Sequence, residues 1–284
     1  MKKRFEAIDR LAPLRQVILE YGLSAQKSLG QNFLLDMNVT DKIVREAELR
    51  CQCNWSELTA IEIGPGPGGL TRSLLRSGLK QVCAIEFDKR AVHALEPLVD
   101  AAHGDLDIVH NDAMQCDLSV FVDSPRIIVA NLPYNIATPL LVNWLRQIRN
   151  DYTVYHSMSL MFQKEVAERI CAQVGQKAYG RLSVLAQWLC DVEIMYHLPA
   201  SAFTPAPKVD SAVVHFTPKI LSGDAPLFEV VERVSAAAFG QRRKMIRSSL
   251  RDYADCFDSL GLEPTKRAEN LSVEAFISIA SCVD

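Results

Sequence analysis

Residues 127–135 read I-I-V-A-N-L-P-Y-N, an apolar run that ends in an amide, a proline and an aromatic ring. Such a strand end is either an ordinary turn or the delivery of a polar, aromatic pocket. The chemistry this pocket suits is transfer to an exocyclic amine. Adenine N6 is a poor nucleophile because its lone pair is delocalised into the ring. The Asn131 side-chain oxygen and the Leu132 backbone carbonyl can accept its two amine hydrogens. That favours a pyramidal nitrogen with its lone pair turned toward a methyl donor. Pro133 stiffens the turn, and Tyr134 can stack on a purine face, as unpaired bases are commonly held. In-line displacement at a sulfonium is favoured mainly by positioning and electrostatics, so a neutral asparagine suffices.

A second constellation lies upstream. The stretch 62–69, E-I-G-P-G-P-G-G, follows the strand-like T-A-I-E-I and opens a helical pattern. Its glycines let the backbone pass close to a ligand, with helix N–H groups behind. Glu86 closes the next strand, 22 residues after Gly64, where a carboxylate can grip a ribose diol. Gly64, Gly66 and Gly69 also satisfy G-x-G-x-x-G, the dinucleotide fingerprint. The loop alone does not choose between a nicotinamide dinucleotide and S-adenosylmethionine. Its two prolines remove N–H donors, which weakens a diphosphate cradle more than a site for a phosphate-free sulfonium nucleoside. Asp112, in N-D-A-M, stands at a third strand end, where it can reach an adenine amine or simply cap the following turn.

Alternating segments position these groups. Strand-like runs at 59–63, 81–85, 108–109, 127–130 and 158–162 alternate with helix-like runs at 41–49, 70–79, 90–99, 138–148 and 164–172. That rhythm implies right-handed crossovers and a parallel sheet with helices on both faces. Past Pro199 the texture changes. F-T-P-A-P-K (203–208) is a proline-stiffened loop, S-A-V-V-H-F (211–216) a strand, 218–226 a linker, and everything from Leu227 onward reads as helical. The expected division is a closing segment 1–34, a catalytic domain 35–219 and a small helical domain 220–284.

With 49% hydrophobic and 23% charged residues the chain is an ordinary globular protein. Its net charge of −3 means that any nucleic acid must be held by a local basic patch. No run approaches the length of a membrane span. The N-terminus carries Glu6, Asp9 and Glu20 and lacks both a secretory and a transit pattern, so a cytoplasmic location is expected. Of eight cysteines only Cys51 and Cys53 are close. A lone C-x-C is not zinc spacing, so unpaired structural thiols in a reducing compartment, and no metal, are expected.

Several longer motifs now combine. K-S-L-G-Q-N-F-L (27–34), E-I-G-P-G-P-G (62–68), N-L-P-Y-N-I-A-T-P-L (131–140), Q-K-E-V-A-E-R (163–169), Y-G-R-L-S-V (179–184), F-T-P-A-P-K-V-D-S-A-V (203–213), A-F-G-Q-R-R-K-M-I-R-S-S-L (238–250) and R-A-E-N-L-S (267–272) together resemble the ribosomal small-subunit RNA adenine dimethyltransferases, the KsgA type. The resemblance runs from about residue 20 to the end. It implies an α/β fold, a Rossmann-like seven-stranded S-adenosylmethionine-dependent methyltransferase sheet with 192–197 and 211–216 as its last strands, followed by a small helical domain. It implies that Asn32 and Leu34 close over S-adenosylmethionine and that Gly64, with Gly66 beside it, approaches the methionine portion. Glu86 would hold the ribose and Asp112 the cofactor adenine. Asn131 would touch cofactor and target amine alike, and Tyr134 and Phe203 would sandwich the target adenine. The implied substrate is a pair of adjacent adenines in the 3′-terminal hairpin loop of 16S rRNA, each dimethylated within the small ribosomal subunit. A monomer is expected, with a further role in subunit biogenesis.

From the residues alone, Phe203 is either a core aromatic or a ring presented by its stiff T-P-A-P loop. Residues 241–251, Q-R-R-K-M-I-R-S-S-L-R, carry Arg242, Arg243, Lys244, Arg247 and Arg251 and no acid. On one helix Arg243, Arg247 and Arg251 would form a ridge, with Phe239, Ile246, Leu250 and Tyr253 on an adjoining face. The ridge is either a solvated face or a phosphate-tracking stripe, and Lys27 is a further candidate for the same task. Three other readings stand beside the resemblance. They are a nicotinamide-dependent oxidoreductase, for which no catalytic His or Tyr-Lys pair is evident, a non-catalytic ribosome-assembly factor, and a large-subunit rRNA methyltransferase of the macrolide-resistance type.

Overall fold

The computed structural model describes residues 2–23 and 32–283. The strands β2 (Thr59–Ile63) and β5 (Arg126–Ala130) are buried at every position, as expected of strands covered on both faces. They are neighbours at the centre of a seven-stranded sheet of order β4-β3-β2-β5-β6-β9-β7. Here β3 is Gln81–Glu86, β4 Leu106–His110, β6 Ser157–Gln163, β7 Cys190–Leu198 and β9 Ser211–Pro218. Chain order reverses direction between β2 and β5. The carboxyl ends of those two strands therefore open the crevice where open α/β sheets bind ligands.

Side chains alternate across the sheet with period two. Ile61, Ile63 and Ile128 face a core with Leu140, Leu141, Trp144 and Leu145 of α6 (Tyr134–Asn150). Ala60, Ile127 and Val129 face the opposite core, with Ile43 and Val44 of α3 (Met37–Arg50), Leu74 of α4 (Gly69–Arg76) and Leu95 of α5 (Lys89–Ala102). Before residue 220 the chain also forms α1 (Lys2–Asp9), α2 (Leu14–Glu20), α7 (Lys164–Cys171) and α8 (Arg181–Leu189), and the short strands β1 (Phe33–Leu34) and β8 (Phe203–Thr204).

The all-parallel expectation ends at β6. Strand β9 runs antiparallel to both β6 and β7 and is inserted between them. A mixed edge of this kind is what a hairpin-like return produces when no crossover helix separates two strands.

Helices α9 (Phe228–Gly240), α10 (Ile246–Ser249), α11 (Asp255–Ser259) and α12 (Val273–Cys282) complete the chain. Their apolar faces join the same core as α6 and α8. Trp188 stacks on Phe228 at 6.3 Å between ring centres, and Phe239 on Phe276 at 5.5 Å. A disulfide joins Cys256 of α11 to Cys282 of α12, 26 residues apart. This corrects the expectation of unpaired thiols, because spacing along the chain carries no sign of a contact made only by folding.

Candidate active site

Ligand chemistry converges on one cleft of about 240 Å³ at the carboxyl ends of β2, β3, β4 and β5. Asn32, Leu34, Gly64, Gly66, Glu86, Asp112, Asn131, Leu132, Pro133 and Tyr134 all line it. The expected cofactor and target-base residues are thereby brought together from five separate segments, Phe203 excepted. Lys27 lies outside the described residues. Phe203 is 3% exposed and does not line the cleft. It pairs with Leu34 where β8 meets β1 and packs into the α3–α4 core. Its place is thus that of a core aromatic beneath the strap rather than a presented ring, because pairing to β1 turns its side chain inward.

The Gly-rich turn is held by its own backbone. The Gly64 N–H donates to the Ile85 carbonyl, and the Gly68 N–H to that of Pro65. The Gly66 N–H donates to Glu86 Oε2 at 3.1 Å. Gly66 adopts φ +54°, and a Cβ there would stand 2.8 Å from the Phe33 ring. Only glycine lets the strap at 32–34 close on the turn.

These bonds resolve the choice that the motif left open. A diphosphate cradle needs free backbone N–H groups or cations. Here three glycine N–H groups are taken, two positions are proline, and no Lys or Arg among the described residues lines the cleft. Instead the lining carries Glu62, Glu86 and Asp112, a set that suits a cation.

Glu86 is buried, and its Oε1 accepts from the N–H groups of Phe87 and Asp88, each at 2.8 Å. Burial raises its pKa, and the three backbone N–H donors oppose that rise. The carboxylate is fixed in place, with one acceptor site on Oε2 left for a ribose hydroxyl. Asp112 accepts from the Met114 N–H at 2.9 Å and from Gln115 Nε2 at 3.0 Å. Capping and cleft-lining are both true of it.

Asn131 Nδ2 donates to the Asn32 carbonyl at 2.9 Å. A carbonyl can only accept, so this bond fixes the amide orientation and leaves Oδ1 as the free acceptor. Tyr134 begins α6, and its hydroxyl meets Ser211 Oγ at 2.5 Å, which pins the ring at its tip. Burial raises the Tyr134 pKa, with Ser211 opposing.

Glu62 escaped the sequence reading. It is 2% exposed, lines the cleft, and its Oε2 has no hydrogen-bond partner. Burial, with a smaller contribution from the Glu86 charge, pushes its pKa up to about 8. Thr71 opposes the shift from nearby, although its hydroxyl does not reach hydrogen-bond geometry. A buried, unpartnered carboxyl oxygen in a cleft where no described residue supplies a cation fits an ammonium group. The acid just before a Gly-rich turn was the available signal. Phe33 and the 62%-exposed Phe87 also border the cleft, the latter as an apolar ring directly after Glu86.

The basic segment departs from expectation. Helix α9 ends at Gly240, residues 241–244 turn and bend the chain, Met245 forms a bridge, and α10 spans only 246–249. No continuous helix carries Arg243, Arg247 and Arg251. The break is made by long-range pairing: Met245 bridges to Arg267, and the Ile246 N–H donates to the Lys266 carbonyl. Ile246 and Leu250 are buried as expected. Arg242 is tied to the Tyr179 carbonyl at 2.8 Å and to Glu269 at 3.4 Å, and Arg251 pairs with Asp252. Arg243, Lys244 and Arg247 are exposed.

A family model described as ribosomal RNA adenine dimethylase matches residues 22–284. "Ribosomal RNA small subunit methyltransferase A" of Ruegeria sp. (strain TM1040) is 48% identical, over 98% of this chain and 99% of its own length. The protein of that name from Rhodospirillum rubrum is 47% identical, over 97% and 94%. Among solved structures, a dimethyladenosine transferase from Plasmodium falciparum superposes with a TM-score of 0.68 at 24% identity, covering 86% of this chain and 94% of that one. The 23S rRNA methyltransferase ErmE does so with 0.66 at 26%, covering 88% and 98%. With its cleft, its mixed seven-stranded sheet and a full-length match, this chain belongs to the ribosomal RNA adenine dimethylase family.

Proposed function

We propose that this protein transfers methyl groups from S-adenosylmethionine to N6 of two adjacent adenines in the 3′-terminal hairpin loop of 16S rRNA, giving dimethyladenosine. The observation that carries this reading is the fixed amide of Asn131, a residue lining a cleft that, among the described residues, carries acids and no Lys or Arg.

When bound, S-adenosylmethionine supplies an electrophilic methyl group on a sulfonium. Glu86 holds the ribose hydroxyls, Glu62 accepts from the ammonium, and Asp112 and Phe87 border the adenine of the cofactor. The Asn32–Leu34 strap covers the ligand and is latched by the bond to Asn131. The Asn131 oxygen and the Leu132 carbonyl take the two hydrogens of the target amine and turn its lone pair into the cleft. Tyr134, held by Ser211, provides a stacking face. These groups act through position and fixed dipoles, and they need no general base before attack. After one transfer the amine keeps one hydrogen, so one of the two acceptors still orients it for the second.

The substrate assignment is supported by the small-subunit names of the relatives at 47–48% identity. The ErmE likeness, at 26%, supports the shared architecture. The intact cleft favours catalysis over a purely non-catalytic assembly role, and a part in small-subunit biogenesis is compatible with it. Exposed Arg243, Lys244 and Arg247 in the helical region 220–284 are the groups we assign to rRNA phosphates. A ribosomal substrate implies a cytoplasmic enzyme, and no helix among the described residues is long and apolar enough to cross a membrane. We place it on the subunit as a monomer.

The test is methyl transfer from labelled S-adenosylmethionine to undermodified small subunits and, in parallel, to large subunits, with product nucleosides separated. Dimethyladenosine from the small subunit alone is expected. Label in the large subunit would move the protein to the resistance-type branch. Absence of label with the cofactor bound would leave an assembly factor.

A further inference from the structure

At the amino ends of the parallel strands, on the rim opposite the cleft, three metal-binding side chains converge. Cys51 follows the last turn of α3, its N–H bonded to the Ala47 carbonyl. Cys53 lies two residues on. His156 immediately precedes β6, and its N–H donates to the Arg126 carbonyl at the start of β5. The two sulfurs are 2.6 Å apart, and a ring nitrogen of His156 completes a set of atoms all within 4.8 Å of one another. Cys51 is buried, whereas Cys53 and His156 are half-buried.

We propose that Cys51, Cys53 and His156 form a zinc site that staples the end of α3 to the start of β6. Two thiolates and an imidazole are the ligand types that select Zn²⁺, with the fourth tetrahedral position left to solvent. Two thiolates on one zinc sit roughly 3.8 Å apart, given Zn–S bonds of about 2.3 Å, so binding spreads the sulfur pair and draws the ring in. Binding a zinc ion displaces two thiol protons to solvent and leaves a complex without net charge, which a partly buried position accepts. The neighbouring cation offers no alternative partner. Arg50 is already engaged with Glu46 at 2.6 Å and Glu193 at 2.9 Å. A simple disulfide between the two sulfurs would explain their approach but would give His156 no part. Chain spacing alone argued against zinc because the third ligand lies more than 100 residues away.

The site is remote from methyl transfer, so its expected role is to hold α3, the helix that follows the strap at 32–34. The test uses the full chain, reduced and freed of metal, titrated with Co²⁺ as a spectroscopic probe and then with Zn²⁺. Expected are thiolate-to-metal charge transfer and tetrahedral visible bands saturating at one equivalent, both erased by Zn²⁺. Cys53→Ser and His156→Ala, at half-buried positions, should each weaken binding by at least roughly tenfold. Both variants should keep the circular dichroism and methyl transfer of the parent. Binding by the parent no tighter than by the Cys53→Ser/His156→Ala double variant would overturn the site. So would recovery of Cys51 and Cys53 as a mutual disulfide under the same reducing conditions.

Discussion

Replacing Glu62 by Gln should stabilise the ligand-free protein at alkaline pH while weakening its hold on S-adenosylmethionine. Glu62 is fully buried, with one carboxyl oxygen unpartnered. Its pKa rises from 4.5 to about 8, which corresponds to roughly 4–5 kcal/mol of differential stability at most. The sign follows from the direction of the shift. The folded state holds the proton more tightly than the unfolded chain, so this contribution is fully present below 4.5 and is lost as the pH rises through about 8. Gln carries no charge to lose. It still buries an amide, so the net gain at pH 8.5 should be nearer ~1–3 kcal/mol, read as a higher Tm by about 2–4 °C per kcal/mol. At pH 5 the two proteins should melt together. Binding should move the other way. A charge-assisted hydrogen bond to the ammonium contributes about 1.5–3 kcal/mol, so Glu62→Gln should weaken cofactor binding by about 10- to 150-fold at pH 7.5. Affinity of the parent should rise between pH 6 and 7.5 as Glu62 ionises, and that of Glu62→Gln should stay flat. Melting curves at both pH values and calorimetric titration read these effects. A Gln variant with unchanged affinity and no alkaline gain would refute the assignment of Glu62 as an orphaned acceptor.

Other perturbations read the remaining parts of the site. Tyr134→Phe keeps the ring and loses only the bond to Ser211, so kcat/KM for rRNA should fall little. Tyr134→Ala should cost about 1–3 kcal/mol of stacking, a drop of about 5- to 150-fold in the same quantity. Gly66→Ala places a Cβ 2.8 Å from the Phe33 ring at a left-handed φ, so calorimetry should show weakened cofactor binding through a displaced strap. Arg243→Glu with Arg247→Glu should weaken rRNA binding steeply at moderate salt, flatten its salt dependence by about two contacts, and spare cofactor binding.

The legible parts of this protein were those in which local sequence and local structure coincide. The run T-A-I-E-I is β2 residue for residue, and Asn131 and Glu86 sit at strand ends because apolar runs stop there. Groups whose meaning depends on distant partners were not legible. Glu62 looks like one residue of a strand, and its orphaned oxygen is apparent only in the folded cleft. The stiff loop around Phe203 left open whether its ring is core or presented, and its pairing with Leu34 is a long-range contact. The periodicity at 243, 247 and 251 is real in sequence, but the pairing of Met245 with Arg267 breaks the helix that would have used it. Insertion of β9 between β6 and β7 likewise follows from sheet pairing, which no local pattern encodes.

The measurement that bears most directly on the account is single-turnover methyl transfer by Asn131→Ala at saturating S-adenosylmethionine, alongside its cofactor Kd. The substitution removes both the free Oδ1 and the latch to Asn32. Loss of one preorganised polar group of this kind costs about 10²–10³ in rate, whereas loss of one neutral hydrogen bond changes affinity by about tenfold or less. The account predicts a collapse of the transfer rate with cofactor binding largely retained. Equal losses in both, or a transfer rate within a few-fold of the parent, would contradict the role given to Asn131 in orienting the target amine.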